Sequence, residues 1–139
     1  MSDGDRRAAN QAMIRDLFTR YHEMVNRDID ELRPFYTDDT ILELPQLGTR
    51  AEGIEGTLAM AKTVGTTFRE WKQVNFEFHD CLDPDEVIWE ADADGVFAHS
   101  GERYEQRYVL FVKLRDGRIS HYREYIDTRQ LAHFPRRAR

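Results

Sequence analysis

Glu124 lies in the run Tyr122-Arg123-Glu124-Tyr125-Ile126, and Tyr104 and Tyr108 precede it in the same part of the chain. Side chains on a strand change faces at every residue, so Tyr122, Glu124 and Ile126 point one way while Arg123 and Tyr125 point the other. A carboxyl placed among tyrosines and aliphatics has its charged form disfavoured. Its pKa then rises toward the range in which it can take a proton from carbon and return it. Tyr104, Tyr108 and Tyr122, with Tyr21 from the N-terminal third, would supply phenol hydroxyls for the enolate oxygen that such a step creates. Glu90, followed by Asp92 on the same strand face, would be a second carboxylate if that face looked inward. The competing reading pairs Glu124 with Arg107, Arg118 or Arg123 on a solvated face and makes the tyrosines amphipathic core residues. Trp89 likewise competes with Glu90 for the interior.

The elements that position these groups are readable. Tyr104 to Asp127 is two alternating runs joined by Arg115-Asp116-Gly117, and Asp-Gly between alternating hydrophobics is a strong hairpin signal. Tyr104, Gln106, Tyr108, Leu110, Val112 and Leu114 share one face of the first strand; Ser120, Tyr122, Glu124 and Ile126 share one face of the second. Val109 and Phe111, with Ile119, His121 and Tyr125, fall on the opposite faces, a half-apolar surface suited to a homodimer. Upstream, Met13, Leu17, Tyr21 and Met24, flanked by Ile14, Phe18 and Val25, predict a helix over 5–27. Asp28 and Glu31 can open a short second helix limited by Pro34. Asp38-Asp39 predicts a turn, 40–44 a short strand ended by Pro45, and 46–53 a loop. Ile54, Leu58, Ala61, Val64 and Phe68 mark a third helix, with strands expected over 74–81, 86–93, 103–114 and 118–127. Helices first and consecutive strands afterwards predict an α+β fold: a strongly bent, mostly antiparallel sheet wrapped over N-terminal helices around a blind conical cavity.

Bulk properties narrow the field. At 139 residues the chain is expected to be one domain, and 40 % apolar with 12 % aromatic residues suit a globular core. A net charge of −6 offers no field for nucleic acid. The basic cluster Arg136, Arg137 and Arg139 is expected to be a solvated tail. No apolar run has the length of a membrane span or a signal peptide, and the single cysteine, Cys81, excludes an intrachain disulfide. A cytoplasmic protein with no membrane or nucleic-acid partner is expected.

Other chemistries lack their residues. His22, His79, His99, His121 and His133 show no zinc spacing, so no metal is expected. No Gly-x-Ser-x-Gly and no glycine-rich phosphate loop is present, so neither a serine nucleophile nor a cofactor is expected.

The order of elements, the phrase LRPFYTDDTILELP from Leu32 to Pro45, and the ending DGRISHYREYID resemble the nuclear-transport-factor-2-like superfamily, which includes ketosteroid isomerase, SnoaL-type polyketide cyclases and the phenazine-biosynthesis A/B proteins. The resemblance runs from about Ala12 to Leu131 and implies a cone-shaped α+β roll. Tyr21 matches the oxyanion tyrosine of ketosteroid isomerase, but Leu44 and Leu110 stand where that enzyme has its base and second acid. Glu124 matches the last-strand carboxylate of the cyclases and phenazine proteins, and Tyr104 a pocket tyrosine of the latter. The histidine that accompanies their glutamate falls near Met60. The resemblance therefore implies Glu124 and Tyr104 as catalytic residues, with Tyr21, Leu44, Leu110 and Met60 at the substrate site, to which strand parity adds Tyr108 and Tyr122, and Glu90 if its face looks inward.

The expected function is cofactor-independent proton transfer, of isomerase, cyclase or dehydratase type, on a ketone-bearing or polycyclic substrate, a small apolar or aromatic molecule held in a blind apolar pocket. The alternatives are a receptor that uses the same pocket without turnover, and an adaptor that presents its outer sheet face to a protein.

Overall fold

The computed structural model describes residues 1–135; the expected arginine tail of Arg136, Arg137 and Arg139 lies outside them. Helix α1 (Asp3–Arg27) starts two residues before its apolar stripe predicts, because the Ser2 side chain accepts a hydrogen bond from the Asp5 N–H at 3.0 Å and caps it. It buries Ile14, Leu17, Phe18, Tyr21 and Met24. A short 3-10 helix follows over Ile29–Phe35, capped by the Asp28 carboxylate. Strand β1 (Tyr36–Leu44) leads through a 3-10 turn at Pro45–Leu47 into β2 (Thr49–Glu52) and helix α2 (Gly53–Thr67). Then come β3 (Phe68–His79), β4 (Glu86–Phe97), β5 (Arg103–Arg115), β6 (Arg118–Tyr125) and a last 3-10 helix, Thr128–His133.

The sheet order is β2-β1-β6-β5-β4-β3, with β1 and β6 parallel and every other neighbour antiparallel. The result is an α+β fold with a curved, unclosed six-stranded sheet over helices, as expected. Burial alternates without a break along β4, where Val87, Trp89, Ala91, Ala93, Gly95 and Phe97 face inward. Trp89 is fully buried, and its indole N–H is satisfied by Gln73 Oε1 at 2.9 Å. Truncating a side chain of that size to alanine costs about 3–5 kcal/mol, and the Trp89 ring meets Phe18 of α1 with centroids 5.7 Å apart.

The hairpin forms where Asp-Gly predicts it: Arg115 pairs with Arg118, and Asp116 and Gly117 take φ of 53° and 75°. Positive φ at both central residues matches the right-handed strand twist. Three expectations need correction. Asp38-Asp39 does not turn the chain; both sit exposed within β1 at an irregularity between Tyr36, paired with Ile119, and Ile41, paired with His121. The 46–53 loop contains β2, whose Thr49 pairs with Leu44 as an edge hairpin. Ile119 is fully buried rather than on the outer face. Lys113 pairs with His121 but Leu114 with Ile119, so Ser120 is an extra residue in a bulge, its hydroxyl donating to the Lys113 carbonyl at 3.1 Å. The bulge shifts alternation by one, and the inward set on β6 becomes Ile119, Tyr122 and Glu124.

Candidate functional site

Glu124 is opposite Leu110 on β5, and Leu110 is fully buried. Leu42 pairs with Tyr122 on the other side, which places Leu44 on the same face as Glu124, one position past the end of the β1–β6 ladder. Tyr122 donates its hydroxyl proton to Glu124 Oε1 at 2.6 Å. As a residue Glu124 keeps some solvent contact, yet enough protein surrounds the carboxyl that burial raises its pKa from 4.5 to about 7, against the opposing pull of the Tyr122 hydrogen bond. Among the described residues no guanidinium contributes to that shift, so burial and Tyr122, rather than an ion pair, set the state of this carboxyl.

Four tyrosines feel this carboxylate. Burial raises Tyr21, Tyr108 and Tyr122 well above the ordinary phenol range, with the Glu124 charge adding to each. Burial also pushes Tyr104 up to about 12, partly offset by hydrogen bonding with Tyr108 and Gln106. Neutral phenols are donors at neutral pH, but their protons are not equally free. Tyr122 spends its proton on Glu124. Tyr108 accepts from Trp71 Nε1 at 3.2 Å and donates to the Tyr104 oxygen over a long 3.5 Å. This ordering leaves the Tyr104 hydroxyl at the end of the relay, with its own proton to give. Phe18 stacks between Tyr21 and Tyr122 at 5.6 and 5.7 Å, and Tyr21 meets Trp71 edge-on at 5.6 Å. The interior around the site is thus lined by aromatic rings.

Met60 on α2 and Leu44 are partly buried and pack against the core. Glu90 does not join the site. Strict alternation on β4 puts Trp89 inside and Glu90 outside, where His79 Nε2 lies 2.8 Å and Arg107 Nη2 3.5 Å away. Those partners lower the Glu90 pKa, the His79 hydrogen bond most, opposite to what a proton-transferring acid needs. Asp92 is outside with it, bonded to Asn75 at 3.0 Å and Arg107 at 3.1 Å. Asp127 caps the final 3-10 helix by accepting from the Arg129 N–H. His99 is exposed.

Sequence reasoning missed Trp71, Phe134, Gln46 and Gln106. Trp71 lies just outside the strand expected over 74–81. Phe134 follows the last predicted strand, and its ring stands edge-on to Phe68, Phe97 and Tyr104 at 5.9, 5.2 and 5.3 Å. Its only signal is an aromatic residue in a polar tail.

Two surface clefts lie away from Glu124. One, of about 580 Å³, is framed by His22, Asn26, Gly65, Phe68 and Arg69 at the helix ends. The other, of about 190 Å³, lies on the outer sheet face beside Phe111, His121 and Arg123. Among the described residues, Glu77, His79 and Glu90 bring one ligand atom each within 4.8 Å of one another, but Arg107 Nη2 already reaches both carboxylates, at 3.3 and 3.5 Å. No helix among them is long and apolar enough to cross a membrane.

Comparison with known proteins agrees with this architecture. A protein from Bacillus subtilis provisionally named an isomerase superposes with a TM-score of 0.77 at 20 % identity, covering 96 % of this chain and 94 % of that one. A phenazine biosynthesis-related protein from Pseudomonas aeruginosa gives 0.73 at 18 % identity over 99 % and 94 %. A provisionally named polyketide cyclase from Xanthomonas campestris pv. campestris gives 0.73 at 20 % over 91 % and 96 %. At these identities the likeness is one of fold. In sequence, an uncharacterised PhzA/B-like protein of Pseudomonas aeruginosa is 36 % identical over 84 residues, and the matched stretch spans 58 % of this chain and 57 % of that protein's length. A family model described as a SnoaL-like domain matches residues 14–122, ending just short of Glu124. With the larger part of its length matched by that model, the chain belongs to the SnoaL-like domain family.

Proposed function

We propose that this protein is a cofactor-independent enzyme of isomerase or cyclase type that moves a proton at carbon next to a ketone, with Glu124 as the shuttle. The observation that carries the reading is the Glu124 carboxyl itself: inward-facing, bonded to Tyr122 at 2.6 Å, and shifted by burial to about 7. A group with that pKa is present in both protonation states near neutrality, which a base that must return its proton requires. In the forward step the carboxylate takes the proton α to the carbonyl, and the electron pair of the broken C–H bond moves into the carbonyl to leave an enolate oxygen. Tyr104, at the end of the Trp71–Tyr108 relay, donates a hydrogen bond to that oxygen. Return of the proton from Glu124 to a different carbon isomerises the substrate; attack of the enolate carbon on a second carbonyl cyclises it, and the alkoxide so formed takes the proton back from Glu124. The aromatic lining suits an apolar or aromatic substrate, and the SnoaL-like membership and cyclase-named neighbours support the reaction type.

The test is α-deuterium exchange of a bicyclic aryl ketone, a tetralone, in the presence of the protein. The parent should catalyse exchange with a rate that rises through about pH 7, and Glu124→Gln should lose roughly 10²-fold or more while the chain stays folded. Equal exchange by the two proteins would refute the assignment. Binding of the ketone without exchange in the parent would favour the receptor reading instead.

A further inference from the structure

The β5–β6 ladder ends at Tyr125, opposite Val109, and the β1–β6 ladder has already ended at Arg123, opposite Glu43. Glu124 therefore sits where the sheet runs out, and strand ends with no ladder beyond them open easily. Past this point two side-chain amides replace the ladder. Gln46, from the turn after β1, accepts from the Ile126 N–H at 2.8 Å and donates to the Ile126 carbonyl at 3.2 Å. Gln106, on β5, accepts from the Asp127 N–H at 2.6 Å and donates to the Asp127 carbonyl at 3.2 Å. Each amide thus satisfies both backbone groups of one residue, as a neighbouring strand would, and the two approach from opposite sides of β6. Gln106 is only 5 % exposed, and its Oε1 also takes the Arg107 N–H at 3.0 Å. Inward-facing glutamine on a strand otherwise lined by tyrosine, leucine and valine is costly to bury unless it is bonded.

We infer that Gln46 and Gln106 are positioning residues that clamp the backbone just beyond Glu124 and so hold its carboxyl in the enclosed pose against Tyr122. The inference rests on the reading of Glu124 as the base. Without the clamp, the end of β6 gains freedom, the aromatic enclosure loosens, and water reaches the carboxyl.

The experiment compares the parent with Gln46→Ala, an exposed site that spares the core, and Gln106→Leu, which keeps volume but removes the amide. Amide hydrogen exchange at residues 126 and 127 should quicken about tenfold, the worth of a lost hydrogen bond. The Glu124 side-chain carbon, followed by NMR titration, should move its midpoint down toward the ordinary carboxylate range, and its side-chain couplings should change from one rotamer to an average. Gln46→Glu, which keeps the acceptor for the Ile126 N–H, should restore part of both. Faster exchange at 126 and 127 with an unchanged Glu124 midpoint and rotamer would overturn the inference, leaving the amides purely structural. A parent Glu124 that titrates as a free carboxyl would instead refute the base reading; the clamp would then stand or fall on the rotamer averaging alone.

Discussion

If Glu124 is desolvated as its surroundings indicate, the protein should carry a stability cost that a single atom change removes. In the unfolded chain the carboxyl ionises near 4.5; in the folded protein it ionises near 7. Between those values the folded state holds a proton that the unfolded state has released, so stability contributed by this group falls as pH rises and the full cost is present above about pH 7. A difference of some 2.5 pKa units corresponds to about 3 kcal/mol. Below about pH 4 both states are protonated and the cost vanishes. Glu124→Gln abolishes the titration while keeping an acceptor for the Tyr122 hydroxyl. Whatever constant effect the amide has, the stability of the variant relative to the parent should improve by about 3 kcal/mol between about pH 4 and about pH 8.5. For a chain of this length that is a relative gain of the order of 10 °C in Tm. Urea titrations of both proteins across the range measure it, and other titrating groups cancel in the comparison. Parallel stability curves would show that Glu124 is ordinarily solvated, and the argument for its chemistry would go with them.

Tyr104→Phe should leave the fold intact and slow tetralone exchange by up to about 10²-fold, the low end for one oxyanion-hole donor, and by less than Glu124→Gln does; an equal or larger loss would make Tyr104 the principal catalytic group. Gly95→Ala should destabilise by about 1–2 kcal/mol, since its Cβ would stand 3.0 Å from the Glu70 carbonyl of the paired strand and 3.4 Å from Trp71 Cδ1; an unchanged denaturation midpoint and tryptophan emission would show that β3 yields freely. For the outer face of β5 and β6 we propose self-association: Arg123 lies 4.7 Å from the Phe111 ring centroid, and among the described residues Arg123 Nε is buried without a hydrogen-bond partner while His121 Nε2 has only the Glu43 carboxylate nearby, at 3.4 Å. Sedimentation should then show a dimer at tens of micromolar that Arg123→Glu dissociates, and a monomeric parent would count against it.

The fold was legible because several levels of the sequence agree. The Leu17, Tyr21 and Met24 stripe, the Asp116-Gly117 turn and the alternation of β4 and β5 each dictate one local structure, and those structures fit one sheet. Parity served Glu124 because nothing interrupts alternation between Tyr122 and Ile126. It failed at Ile119, where the Ser120 bulge inserts a residue that no local pattern announces. It left Glu90 open because both faces of β4 made sense alone. What decides is the pair of partners waiting outside, His79 on β3 and Arg107 on β5, one strand away on each side.

The rest of the site was hidden for a related reason: it is assembled by residues of common types whose partners are remote in the chain. Gln46 reads as loop polarity and Gln106 as a fault in an apolar strand face until the end of β6 is laid between them. Trp71 and Phe134 read as ordinary aromatics until one is seen donating to Tyr108 and the other standing edge-on to Tyr104. A carboxylate on a strand gains chemistry from what excludes water around it. In this chain Gln46, Trp71 and Phe134 come from the 3-10 turn after β1, the start of β3 and the segment after β6, three places where the sequence pattern is weakest.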